Sequence, residues 1–392
     1  MKIALPVQNE KYRRPLVLLI CFLLVAIYWL LMRSSVLADS NLREAIEWSK
    51  TDFSKSIIEL DEIQSGGPPK DGIPAIDDPE FISIREANSW LDAKEPVIVL
   101  EINRDVHAYP IQIMIYHEIV NDMIGGIPVS VTFCPLCNAS IIFDRRVNGR
   151  VLDFGTTGKL RNSDLVMYDR QTESWWQQFN GTGLVGKYAG AKLKQFPASI
   201  VAYSDFRDAY SSAKILSRHT GYLRPYGKNP YRGYDRIGDN PFLYAGSVDP
   251  RLPAMERVVA INHNDVQRVY PFSVFTKLPV INDQVGNLAV VIFSKRGTLS
   301  ALDASEITDS RLIPSATAWD RRVDGEPLVF EIDGSRFVDT KTGSYWNLFG
   351  KAISGPLRGK QLHKIDSGVH FAFAWLAFNP ESEVYLPEIP LH

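Results

Sequence analysis

Two thiols stand close together in Cys134-Pro135-Leu136-Cys137, and His117 and Met167 add an imidazole and a thioether in the same half of the chain. On a strand-turn-strand knuckle the two cysteines would point both sulfurs at one ion, as in a rubredoxin-type site. His117 and Met167 would complete the ligand set. Thiolate, thioether and imidazole together favour copper, with zinc next. Two cysteines and one histidine around an open position is also a catalytic zinc pattern. A second reading is thiol–disulfide chemistry, since a proline between the cysteines resembles glutaredoxin-like sites. Such a thiolate is normally activated at a helix N-terminus, and the β-rich sequence after Cys137 leaves little room for that helix. The third reading is a small structural disulfide with His117 an ordinary core histidine. No Gly-x-Ser-x-Gly elbow, phosphate loop or His-Glu-x-x-His pair offers a different chemistry. His107 is a weaker candidate.

The chain carries its own control. Val106-His107-Ala108-Tyr109-Pro110 is matched by Gln267-Arg268-Val269-Tyr270-Pro271, and Ile119-Val120-Asn121-Asp122 by Val280-Ile281-Asn282-Asp283 at the same offset. Phe143-Asp144-Arg145-Arg146-Val147-Asn148-Gly149 is matched by Trp319-Asp320-Arg321-Arg322-Val323-Asp324-Gly325 at a longer offset, so the second copy carries an insertion between these blocks. Thr172-Glu173-Ser174-Trp175-Trp176 is matched by Thr342-Gly343-Ser344-Tyr345-Trp346. A period this long indicates duplicated domains and not a solenoid. In this alignment His117 faces Leu278, Cys134 faces Lys295, Cys137 faces Thr298 and Met167 faces Phe337. All four candidate ligands vanish together in the second copy. Asn121, Asp122, the Asp-Arg pairs and the Thr-x-Ser-x-Trp block persist, which suits scaffold: turn bonds, ion pairs and buried indoles.

The elements that must position the pair are short. Residues 96–102 predict a strand. Pro110 opens a helix that carries Ile111, Ile115 and Ile119, with His117-Glu118 in the same turn and Gly125-Gly126 at its end. Residues 127–133 and 139–143 predict strands on either side of the cysteines. Asn138 stands where the knuckle wants a left-handed residue, a conformation Asn tolerates. Asn148-Gly149 and Asp324-Gly325 are hairpin turns of the type that needs positive φ twice. A short helix is expected within 205–215. The fold class is α+β, β-dominated: two tandem degenerate copies of one module after an N-terminal membrane segment.

Tyr109-Pro110, His117 to Asp122, Thr132 to Cys137, Phe143-Asp144-Arg145 and Leu165 to Ser174 together resemble the bacterial and archaeal domain-of-unknown-function family numbered 3179. The resemblance covers roughly residues 80 to 388. It implies an exported, single-family architecture and no particular activity.

The remaining sequence sets the context. The 392 residues suffice for two modest domains and carry a net charge of −2, with no basic stripe for nucleic acid. Residues 15–32 are apolar and uncharged, about long enough to span a bilayer, and Lys11, Arg13 and Arg14 precede them. The N-terminus is therefore expected in the cytoplasm and the bulk of the chain on the periplasmic or extracytoplasmic side, tethered to the cell membrane. Cleavage near Val36-Leu37-Ala38 would release it as a secreted protein. The expected segments are a tip and anchor at 1–38 and a tether at 39–78. The first repeat follows at 79–220, a connecting strap at 221–255, and the degenerate repeat at 256–392. The strap is rich in Tyr, Gly, Pro and Arg. It suits contact with a polysaccharide or envelope protein, closure over a site, or tyrosines packed at a surface.

Overall fold

A computed structural model describes residues 46–387 together with Phe22, Val25 and Trp29. The chain divides into two units, residues 1–51 and 52–392. In the first unit Phe22, Val25 and Trp29 are helical and exposed, and the rest of the expected membrane segment lies outside the described residues. Among the described residues no helix is long and apolar enough to cross a membrane.

The second unit is β-dominated, with short helices. The β-branched run Pro96–Ile102 is buried at every position except Glu101 and forms a strand, as its composition predicts. It pairs antiparallel with Asp105–Pro110 across a turn in which Asn103 and Arg104 both take positive φ. Ser199–Ala202 joins this hairpin on one side, and Lys214–Leu216 runs parallel to it on the other. A second sheet holds Ile119–Ile124, Ile127–Cys134, Ala139–Asp144 and Gln195–Phe196. A third is built on the long hairpin Phe154–Arg161/Asp164–Asp169, extended by Trp175–Gln177 and Gly183–Val185. Asn148 and Gly149 adopt the two positive φ angles expected of their hairpin, as do Asp324 and Gly325.

Two sequence expectations need correction. The helix after Pro110 is Ile111–His117 and stops at Glu118, not at Gly125-Gly126. Ile119–Ile124 is a strand, and the two glycines form its turn into Ile127–Cys134. Ile119 continues the helical spacing of Ile111 and Ile115, but the β-branched pair Ile119-Val120 gains a full antiparallel partner instead. Tertiary pairing outweighs a local period of this length. Likewise, the helix expected within 205–215 is Tyr203–Ala209, and Lys214–Leu216 is a strand because an open sheet edge receives it.

Residues 256–387 repeat this order of elements. Arg257–His263 and Val266–Pro271 form a hairpin flanked by Ser367–Phe371 and, in parallel, by Glu383–Val384. Val280–Val285, Leu288–Leu299, Leu312–Asp320 and His363–Lys364 form the second sheet, and Phe330–Asp333 through Ala352–Ser354 the third. Matching braces recur. Tyr109 donates to Asp122 at 2.6 Å and Tyr270 to Asp283 at 2.7 Å. His107 completes the first brace at 2.8 Å and Arg268 the second at 2.7 Å. Asn121 and Asn282 each bracket a backbone unit, Phe154 and Phe330 respectively. The main cores contain side chains from both halves: Phe371 and Phe373 belong to the same core as Cys134 and Cys137, and Phe293 and Trp319 to the same core as Val97 and Phe206.

Two further segments matter for the site. Residues 56–78, expected as part of a tether, lie against the first half. Gln64–Ser65 pairs with Leu160 and Lys159, Ile76 exchanges backbone bonds with Ile119 and Asn121, and Ile76 is buried. The strap has neither helix nor strand, yet Tyr226, Tyr231, Tyr234 and Tyr244 pack on the first core.

Asp169 accepts from the Thr172 amide at 2.7 Å and from the Trp176 indole at 3.0 Å, and Asp339 makes the same two bonds to Thr342 and Trp346. Both carboxylates are buried. Asp169→Ala and Asp339→Ala are each expected to destabilise the protein by about 2–3 kcal/mol, because each strands a buried indole N–H and an amide. Denaturant unfolding measures this. A loss confined to one variant would show that the two braces are not equivalent.

Candidate metal centre

Cys134 ends the strand Ile127–Cys134, and Ala139 begins the return strand opposite it. The intervening turn closes through the Asn138 amide on the Pro135 carbonyl at 3.3 Å. Asn138 takes φ 48°, the left-handed conformation anticipated for that position. Cys137 sits inside the turn. Its carbonyl accepts from the Phe371 amide at 2.9 Å, so the second half clamps the knuckle from behind. Both cysteines are free and buried. Their sulfurs lie 3.9 Å and 3.5 Å from the Ser163 carbonyl.

Ser163 belongs to the tip of the long hairpin, where Asn162 and Ser163 both have positive φ. The next residue, Asp164, completes a group: one ligand atom each from Cys134, Cys137 and Asp164 lie within 4.8 Å of one another, all buried. One Asp164 oxygen, Oδ2, is held by the Gln177 side chain at 2.7 Å and the Phe179 amide at 2.9 Å. The other, Oδ1, is buried, and among the described residues it has no partner beyond the thiols of Cys137 and Cys134. The thiols beside the carboxylate are weak donors and offset little of its burial.

The candidate ligands His117 and Met167 are placed elsewhere. His117 is buried at the end of its helix, with Nδ1 2.7 Å from the Pro74 carbonyl and Nε2 2.6 Å from the Tyr226 hydroxyl. Both ring nitrogens are thus engaged away from the sulfurs. Burial depresses its pKa to about 4, so the ring is neutral. Met167 lies mid-strand between Thr156 and Trp176, inside the apolar core. The group the fold assembles takes a carboxylate where an imidazole was expected.

Glu118 stands beside it. This residue holds φ 57°, a conformation that costs a non-glycine residue about 1 kcal/mol or more. Its carboxyl is buried near Asp164 and hydrogen-bonds to Tyr231 of the strap. Burial, reinforced by Asp164, raises its pKa to about 8, and burial raises that of Asp164 to about 7. Burial also lifts both thiols, Cys137 well above its ordinary range with Cys134 beside it. The Leu165 amide acts in the other direction on Cys134, favouring thiolate. Four buried acidic groups therefore lie close together, and a cation there would lower the cost of ionising all of them. A redox nucleophile needs a depressed thiol pKa. The thiols here are shifted the opposite way, and a strand follows them where a helix would be required.

The strap closes the site. Tyr234 donates to the Leu136 carbonyl between the cysteines at 3.1 Å, and Ser163 Oγ donates to the Phe242 carbonyl. Residues 70–382 match the family described as a protein of unknown function, DUF3179. The chain belongs to that family. The DUF3179 match begins within residues 56–78, the segment that packs on the first half. The chain matches no curated protein and no solved structure.

Asp164 and Glu118 escaped the sequence comparison for a definite reason. Phe154 pairs with Asp169 as Phe330 pairs with Asp339, but six more residues lie between the first pair. Asp164 is on that extra length and has no counterpart to be compared with. Glu118 does have one, Pro279 at the offset of His117 and Leu278, and that exchange was the available signal.

A carboxyl whose folded pKa is raised keeps its full contribution below the ordinary carboxylate range. It loses that contribution as pH rises towards the folded pKa, because the unfolded chain ionises first. In chelator-treated protein these two groups therefore contribute a loss of stability between about pH 4 and pH 8, opposed up to about pH 6.5 by the buried neutral rings of His117 and His370. Relative to wild type, the double variant Asp164→Asn/Glu118→Gln should gain stability at pH 8 compared with pH 5 in thermal unfolding. An unchanged slope would mean these two groups do not carry it.

Proposed function

We propose that this is a membrane-tethered envelope protein that holds one divalent metal ion, zinc foremost, through Cys134, Cys137 and Asp164. The observation that carries this reading is the buried Asp164 Oδ1, which has no partner beyond the weak donors of two free thiols, in a group spanning no more than 4.8 Å. Zinc–thiolate and zinc–carboxylate bonds of roughly 2.0–2.3 Å would draw these atoms together with small side-chain shifts. The donor set favours zinc over copper. Copper(I) prefers soft sulfur alone, whereas zinc accepts thiolate and carboxylate together. Three protein ligands also leave a fourth position for water or a ligand.

The matching element order and braces support reading the two halves as copies of one module, the second having lost its site. Its strands Leu288–Leu299 and Leu312–Asp320 run on past the level at which the first half turns into the knuckle. The tether reading rests on the apolar run at 15–32, the preceding basic residues, and the exposed apolar side chains of Phe22, Val25 and Trp29.

Full-length protein purified under reducing conditions and reconstituted with zinc is expected to hold one ion per chain by elemental analysis. Cys134→Ser, Cys137→Ser and Asp164→Asn should each weaken zinc at least about tenfold in a chelator competition. His117→Phe should retain it. Wild-type protein without zinc, or a Cys134→Ser/Cys137→Ser variant that keeps it, would overturn the reading. A bridged pair in the metal-free protein would favour a structural disulfide.

A further inference from the structure

A cleft of about 600 Å³ is lined by both halves of the chain, and none of Cys134, Cys137 and Asp164 lines it. Part of its lining comes from the strand Ser367–Phe371 and the helix Ala372–Phe378 that follows. The first half has the matching elements in Ser199–Ala202 and Tyr203–Ala209. Val201 pairs with Val97, the second residue of Pro96–Ile102, and His370 pairs with Val258, the second residue of Arg257–His263. A buried valine therefore serves in the first half where the second half carries a histidine that is 3% exposed. Counted from the start of each helix, Trp375 stands where the first half has Phe206, and Phe378 where it has Ala209.

His370 is costly at a position that packing alone fills with valine. Its Nδ1 is buried with no hydrogen-bond partner among the described residues, and burial depresses its pKa to about 3, so the ring is neutral. The ring stacks on Trp375 at 5.2 Å and rests against Phe179 at 5.0 Å. Gly368 makes room for it: a side chain there would come within 2.5 Å of its Nε2. The rest of the lining is polar and mostly uncharged. Asn180, Gln195, Asn262, Gln267 and Asn379 bring side-chain amides to the cleft. Trp375 and Phe378 are half-buried and add apolar surface, Phe378 stacked on Phe179 at 4.6 Å. Charge is confined to Lys192, Lys364 and Asp366, all exposed.

We propose that this cleft binds a neutral saccharide of one or two rings, independently of any metal. Each amide both donates and accepts, and a neutral imidazole offers one donor and one acceptor. Sugar hydroxyls do both as well, so they satisfy His370 in either tautomer. The C–H faces of a sugar ring are apolar and slightly positive, which suits the negative faces of aromatic side chains. An anion would gain from Lys192 and Lys364 but would meet Asp366, and an apolar ligand would leave the amides unpaired. Roughly 150 Å³ admits one benzene ring, so the cleft has room for a disaccharide. It also falls within the roughly 300–1,000 Å³ of small-molecule sites.

Saturation-transfer NMR and calorimetric titration of the full-length protein test this with cellobiose, maltose and N,N′-diacetylchitobiose. The three differ in linkage and in acetamido groups and share neutral rings. At least one is expected to bind with a millimolar or tighter Kd. His370→Val should melt no lower than wild type, since it removes a buried unpaired nitrogen, and should weaken that sugar by about tenfold. Gln195→Ala, a partly exposed position on the cleft wall, should weaken it by about threefold. If His370→Val does not fold, Gln195→Ala decides. Failure of all three sugars to bind overturns the proposal, and so does an unchanged Kd in either folded variant. Citrate is the charged control. Citrate binding that is lost in Lys192→Ala/Lys364→Ala, with no sugar bound, would assign an anion site instead.

Discussion

The site depends on one constraint: a carboxylate and two thiols are buried side by side. A buried acceptor left unpaired costs roughly 1–3 kcal/mol, and more if charged. Asp164 is fully buried, and among the described residues one of its oxygens has no partner stronger than a thiol. The cost is contained while the group stays protonated, and burial holds its pKa near neutrality. Glu118 and both cysteines are shifted in the same direction for the same reason. A divalent cation is the partner that would relieve all four at once.

The surrounding architecture keeps this enclosure closed. The strand before Cys134 and the strand after Asn138 fix the knuckle, and the second half holds its back through Phe371. The hairpin tip supplies Asp164, and Gln177 and Phe179 aim its carboxylate. The strap, which has no regular structure of its own, is tied down by Tyr226 on His117, Tyr234 on Leu136 and Phe242 on Ser163. His117 thus has a definite structural role: its neutral ring links the strap to the Pro74 carbonyl. The second half repeats the scaffold braces without the enclosure, and it contributes core to the first half.

Much of the local structure was legible in the chain. The run from Pro96, the Asn148-Gly149 turn and the left-handed Asn138 follow from intrinsic preferences that act over a few residues. The end of the helix after Pro110 did not, because Ile119 satisfies a helical and a strand pattern equally and its strand partner lies in the following hairpin. The fate of residues 56–78 was also hidden. Breaker-rich sequence reads as a tether, but here its backbone groups pair with Ile119, Thr156 and Gly158.

The sequence by itself determined the cysteine knuckle, the β-dominated class and the residues that differ between the two halves. Those are matters of spacing, turn chemistry and side-chain type, all local. Only the tertiary structure decided which side chain joins the thiols. His117 and Met167 had the softer chemistry, but Asp164 had the position. It sits on a hairpin longer than its counterpart, and that tip packs over the sulfurs. Proximity between distant segments is set by register and packing, which a comparison of aligned positions cannot register when one side has no residue to align.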